Sequence, residues 1–205
     1  CFAMVVLVDN GHGNNTPGKR SVDGQLLEWK YTREIAEDVV AILLGSGLDA
    51  RLLVTEDYDV SLKERVRRIN KVCSQYGAGN VLVVSVHCNA AGNGSQWMNG
   101  RGWEAYSTKG QNNSDVLAEC LYNRAEENFK GMKVRIDKTD GDKDKEANFY
   151  IIKYANCPAV LTENFFMDNK EDMEYMLSDV GRHQIARTHA EGIMDYIILK
   201  KGKLE

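Results

Sequence analysis

Residues 81–87 read "VLVVSVH". From Val81 to Val86 the run is apolar except at Ser85, which is too continuous for a strand with one wet face. It predicts a central strand covered on both sides, ending in a histidine. Working outward, further strand-like runs are predicted at Met4–Asp9, Arg51–Thr55, Trp103–Ser107, Asn148–Lys153 and Ala159–Glu163. Helical periodicity falls between them, at Leu27–Leu44, Leu62–Tyr76, Asp115–Phe129, Lys170–Leu177 and Arg182–Leu199. Ser61-x-x-Glu64 predicts a capping box for the second helix, and Gly45-Ser46-Gly47 a stop for the first. Alternating strands and helices give an α/β fold with a mainly parallel sheet, in one domain spanning residues 1–205.

With 205 residues, 43% of them hydrophobic, the chain can bury a sizeable core. A formal charge of −4 argues against a nucleic-acid binder, which carries a basic field. No apolar run is long enough to span a membrane, and no secretory signal precedes the first strand, so the export route is open. The cysteines at 1, 73, 88, 120 and 157 are odd in number and form no C-x-x-C pair. They predict free thiols rather than a disulfide framework or a Cys-rich metal site, with Cys1 the one position where an N-terminal lipid is conceivable.

Two motifs are weaker than they look. Gly13, four residues and Gly18-Lys19 imitate a phosphate loop, but Arg20 follows the lysine where Ser or Thr is needed, and no helix begins there. In the charged stretch from Gly131 to Asn148, Asp140-x-Asp142-x-Asp144 imitates a calcium loop without its glycine and distal glutamate. A solvated loop lining a groove is the expectation.

The chemistry points elsewhere. Ligands of open parallel sheets sit beyond the carboxyl ends of strands. His12 lies just past the first strand, His87 ends the central one, and Glu163 ends Ala159-Val160-Leu161-Thr162. Glu28 shares a helical stripe with Thr32, Ile35, Val39 and Leu43, so its carboxylate either points inward, where it needs a cation, or bends out to solvent. Two imidazoles and a carboxylate form a His2Glu set suited to catalytic zinc, with Glu163 left free as a base. His189, between Ile185 and Ile193, is expected in the core, and His183 in solvent. Asp9 and Ser85 are candidates to orient a ligand histidine, or make ordinary strand-end hydrogen bonds. Asn89, Trp97, Arg101, Trp103 and Tyr106 are candidates for a substrate groove, the last two more readily as sheet packing.

At this point the chain resembles the zinc-dependent N-acetylmuramoyl-L-alanine amidases of the amidase-3 family, cell-wall hydrolases found among autolysins and phage endolysins. The resemblance covers nearly the whole sequence. It rests on "VLVDNGHG", Glu28 opening the first helix, "DVSLKERVRRIN" at 59–70, "VSVHCNA" at 84–90 and "CPAVLTENFFMDN" at 157–169. It implies a twisted, mostly parallel sheet of about six strands between helices. It also implies a Zn2+ ion on His12, Glu28 and His87, and Glu163 as the catalytic residue. The implied substrate is peptidoglycan, cut at the amide joining N-acetylmuramic acid to L-alanine, in the periplasm or outside the cell. Two departures stand out: Asn10 where the first loop more often has proline, and Phe165 where a glycine is common. The alternatives are another zinc peptidase or amidohydrolase acting on stem peptides, and a non-catalytic wall-binding module with a structural metal.

Overall fold

Residues 4–139 and 141–202 are described by a computed structural model. Its strands are β1 (Val5–Asn10), β2 (Asp49–Leu52), β3 (Val81–Asn89), β4 (Glu104–Ser107), β5 (Lys145–Glu146) and β6 (Ala159–Phe166). Its α-helices are α1 (Glu28–Gly45), α2 (Leu62–Tyr76), α3 (Asn113–Asn128), α4 (Tyr150–Tyr154), α5 (Lys170–Leu177) and α6 (Asp179–Gly202). Cys1 and Asp140 lie outside the described residues.

The strands form one sheet in the order β2-β1-β3-β6-β4-β5. The first four run parallel, β4 runs antiparallel to β6, and β5 follows β4. The Val81–Val86 run is therefore central, with both faces covered. Leu82, Val84 and Val86 pack with residues of α1, α3, α5 and α6. Val81 and Val83 face the opposite way, onto α2 and α4. Because β1 connects through α1 to β2 on one side, and α2 then crosses to β3 on the other, the chain reverses direction between β1 and β3. That is where an open α/β sheet leaves a crevice.

One expected strand is a helix. The Asn148–Lys153 run has strand-forming residues, yet its two buried positions, Ile151 and Ile152, are adjacent rather than alternating. A short helical turn puts both onto the β3 side of the sheet, and Lys153 N donates to Phe149 O at 2.9 Å. The sixth strand is instead Lys145–Glu146, within the charged stretch expected to be a solvated loop. β2 begins two residues before the expected run, at Asp49. Half of the capping box forms: Ser61 Oγ accepts from Glu64 N at 3.2 Å, while the Glu64 carboxylate is taken by Arg67 and Arg68. A complete box forms at α3 instead, between Asn112 and Asp115.

Phe165 occupies the left-handed region, with φ +65°, which is the backbone state a glycine would provide. The β3–β6 register shifts beside it, between His87 and Asn89. The fully buried ring packs edge-on to Phe129 and Tyr175 at 5.0 and 5.2 Å. Phe165→Gly would relieve about 1–2 kcal/mol of backbone strain but forfeit about 3–5 kcal/mol of buried ring. A net loss of roughly 2 kcal/mol is expected in urea unfolding, despite the better backbone fit.

His189 is fully buried, as expected from its stripe, and His183 is exposed. His189 Nδ1 donates to Ile185 O at 2.7 Å, which leaves Nε2 to accept from Thr162 Oγ1 at 2.8 Å. Burial pushes its pKa down to about 4. As pH falls from about 6.5, the unfolded chain takes up this proton and the native one does not. The stabilisation is thus intact above about 6.5 and is lost on the way down to about 4, by up to about 3 kcal/mol. Urea titrations across that range should show the slope, and His189→Gln should flatten it.

Candidate metal centre

The β1–α1 loop is shaped by what crowds it. A Cβ on Gly13 would lie 1.9 Å from Asp59 N, and one on Gly11 would lie 2.5 Å from the His87 ring. Only glycine fits on either side of His12, which itself has φ +64°. Two arginines hold that conformation. Arg65, 2% exposed, and Arg33, 9% exposed, both donate to His12 O, at 3.1 and 3.0 Å. Arg65 also pairs with Asp9 at 2.7 Å and donates to Asn10 O and Val60 O. Asp9 accepts in addition from Ser85 Oγ at 2.6 Å. Asp9 and Ser85 therefore anchor the arginine that grips the loop, and neither bonds an imidazole.

The loop then folds back on itself. Arg20 bridges Leu27, and Ser21 and Leu26 exchange two hydrogen bonds of 2.8 and 3.0 Å. No helix follows Lys19, so the phosphate-loop imitation lacks its helix, as expected. The turn delivers the chain directly into α1 at Glu28, whose N–H donates to Lys19 O at 3.0 Å.

Glu28 is 1% exposed, so of the two sequence readings its carboxylate takes the inward one. Its Oε2 lies 3.4 Å from His12 Nε2 and its Oε1 3.4 Å from His87 Nδ1. The two imidazoles stand edge-on, centroids 5.2 Å apart. One donor atom from each of the three residues lies within 4.8 Å of the other two. A separation of 3.4 Å is long for a hydrogen bond. It matches neighbouring corners of a zinc tetrahedron, which stand about 3.3 Å apart for bonds near 2.0–2.1 Å. By donor type and by spacing the set fits a zinc ion.

Cys88 N–H donates to Glu28 Oε1 at 2.9 Å, fixing the carboxylate plane. Burial alone would raise the Glu28 carboxyl, but the flanking imidazoles reverse this and hold it at about 2. It is a carboxylate waiting for positive charge.

Glu163 sits opposite His87 in the β3–β6 register and opposite Glu104 across β4. Its Oε2 is shielded from solvent with no hydrogen-bond partner. Burial, with the charges of Glu28 and Glu104, pushes its carboxyl well above the usual range, and Lys19 pulls weakly the other way. Lys19 and Arg20 line a cleft of about 190 Å³ whose far wall is the loop after β3, at Ala90 and Gly92–Gly94. That wall is held by Asp168, which accepts from Ala91 N and Gly92 N at 2.9 and 2.8 Å.

The remaining candidates divide. Asn89 bonds Glu104 Oε1 at 2.7 Å, and Tyr106 OH donates to the same oxygen at 2.8 Å. Trp103 is core, its Nε1 donating to Asn164. Arg101 pairs with Glu171, and Trp97 is exposed. Cys73, Cys88, Cys120 and Cys157 are free thiols. Sequence reasoning missed Arg33, Arg65, Glu104, Asn164 and Asp168. Arg65 had a signal: it shares the α2 stripe with Ile69 and Cys73, the same pattern that singled out Glu28.

Residues 6–195 match the family described as N-acetylmuramoyl-L-alanine amidase. The amidase CwlM of Bacillus licheniformis is 33% identical over 96% of this chain and 70% of its own length. The endolysin of Bacillus phage SPP1 is 31% identical over 98% of this chain and 68% of its own. The solved amidase AmiC2 of Nostoc punctiforme superposes with a TM-score of 0.78 at 28% identity, over 95% of this chain and 97% of that one.

Removing one side of a buried ion pair typically costs about 3–5 kcal/mol. Arg65→Ala is expected to lose that much in chemical unfolding. The conservative Arg65→Lys, which cannot span the same carbonyls, should recover only part of it and should bind zinc more weakly than the wild type by metal titration.

Proposed function

The chain belongs to the N-acetylmuramoyl-L-alanine amidase family, and from that premise we propose that His12, Glu28 and His87 hold its zinc ion while Glu163 is its general base. The reaction is hydrolysis of the amide that joins N-acetylmuramic acid to L-alanine in bacterial peptidoglycan. The observation that carries the assignment is the convergence of three donors of a His2Glu set, with a carboxylate in register opposite His87 whose shielded Oε2 has no hydrogen-bond partner.

Zinc in such a set supplies a Lewis acid for the carbonyl oxygen and lowers the pKa of a coordinated water to about 7. This chain's residues do the rest. Glu163 takes the proton of the attacking water and passes it to the departing L-alanine nitrogen, so that amine, not amide anion, leaves. Its raised carboxyl suits it to hold that proton between the two transfers. Glu28 and the Cys88 N–H fix the carboxylate plane, and the arginine-held loop fixes His12. The cleft between Lys19–Arg20 and the loop after β3 receives part of the muropeptide, with the lysine and arginine facing its carboxylates. Residues 1–205 act as one catalytic domain at the cell wall, periplasmic or extracellular. Among the described residues no helix is long and apolar enough to cross a membrane.

Glu163→Gln should keep zinc and lose about 10²–10⁴-fold in turnover, whereas His87→Ala should lose zinc as well. Metal analysis separates the two. Mass spectrometry of digested sacculi should show free L-alanine amino termini with the wild type only. Full activity in the Glu163→Gln variant would remove its role, and cleavage inside the stem peptide would replace the amidase by a peptidase.

A further inference from the structure

We propose that Asp115, Asp142 and Asp144 form a second cation site, for a hard divalent ion of calcium's size, which ties the segment ahead of β5 to the start of α3. One carboxylate oxygen from each residue lies within 4.8 Å of the other two. That is the span across an ion with oxygen bonds of about 2.4 Å. The donors are all carboxylate oxygens, which select calcium or magnesium over the softer ion expected at the His2Glu set.

A second observation points to a ligand independently. Asp144 is 2% exposed, and neither of its carboxylate oxygens has a hydrogen-bond partner. The neighbouring Ser107 hydroxyl, close enough to lower the Asp144 carboxyl somewhat, makes its short hydrogen bond of 2.8 Å to Asp115 Oδ1. The lysines on either side of Asp144 are engaged elsewhere. Lys143 binds Glu126 and Asn123 at 2.7 and 2.9 Å, and Lys145 pairs with Glu104. A carboxylate removed from water, with no well-formed hydrogen bond on either oxygen, is held only at a large cost, unless a proton or a cation joins it. Asp115 and Asp142 lie on the wall of a cavity of about 700 Å³, which gives an ion access from solvent and room for the water ligands calcium normally keeps.

The position has a consequence for the sheet. Asp144 immediately precedes β5, and Lys145 in β5, together with Arg135, pairs with Glu104, the residue opposite Glu163. An ion on Asp144 therefore braces the edge strand whose lysine helps hold the Glu104 carboxylate in place beside the proposed base. The site stands apart from the zinc assignment and does not depend on it.

The test uses zinc-loaded protein dialysed against calcium, with bound metals counted and thermal unfolding followed as calcium is raised. The wild type should retain one calcium beyond its zinc and unfold at rising temperature. Asp144→Asn should retain zinc, lose the calcium and the thermal shift, and be at least as stable as wild type in calcium-free buffer. Should that variant fail to fold, Asp142→Asn at the partly exposed edge decides, with the same loss expected. No calcium retained by the wild type, or equal calcium retained by a folded variant, overturns the site.

Discussion

The Arg65 guanidinium is the fixed point of the β1–α1 loop. It lies under the loop that carries His12, paired to Asp9 at the end of β1 and bonded to three backbone carbonyls, at Asn10, His12 and Val60. Charges this deep are tolerated only when every donor is used. That requirement fixes the path of the loop far more tightly than loop packing could. Arg33 adds a second grip from α1, and also bonds Glu56 O. With its carbonyl held twice, His12 can stay at φ +64°, a state that would otherwise cost about 1–2 kcal/mol. The flanking glycines follow from the same constraint, since the loop is pulled too close to Asp59 and His87 for any Cβ.

On the other side of the crevice the support is neutral. His189 Nδ1 donates to α6 backbone, and its Nε2 accepts from Thr162. Asn164 then divides its two amide hydrogens between Thr162 Oγ1 and His87 O, while its oxygen accepts from Trp103. Every polar atom in this chain of contacts has a defined role, and a satisfied buried network rigidifies what it touches. What it touches is the backbone of His87 and the strand carrying Glu163. One of the two histidines is thus positioned by ion pairs and the other by a relay of neutral hydrogen bonds.

How much of this was written in the amino-acid order depends on how local each cause is. The Val81–Val86 run announced a doubly covered strand because burial on both faces leaves a continuous apolar record. Glu28 drew attention because a carboxylate on an apolar stripe breaks a periodic pattern, but the pattern left its direction open and only the fold turns it inward. Arg65 broke the α2 pattern in the same way, and its function was legible in principle. Ile151 and Ile152 were misleading, since short runs of strand-forming residues do not fix whether one face or two is buried. β5 and the left-handed Phe165 had no local signature: the first exists because β4 offers it an edge, the second because a register shift between β3 and β6 demands that backbone. Glu104 is likewise visible only once β4 is laid against β6.

The two central carboxylates show why the edge is assembled from distant pieces. Glu28 is withdrawn from water and Glu163 is largely so, with its Oε2 shielded, yet their environments push them in opposite directions. Glu28 has imidazoles on both sides and a backbone N–H on Oε1, so it stays ionised, down to about 2. Glu163 has Glu28 and Glu104 as electrostatic neighbours and no donor on Oε2, so it holds a proton far more readily. Two titratable groups pushed apart in this way are suited to different roles, one as a permanent anion and one as a proton carrier, which is the division proposed for them. The division needs Glu28 to come from a helix start, where it can reach between two histidines. It also needs Glu163 to come from a strand interior, where the neighbouring strands place negative charge beside it. The carboxyl ends of β1, β3 and β6 bring those two environments within electrostatic reach of each other, and a contiguous motif on one helix could not supply both.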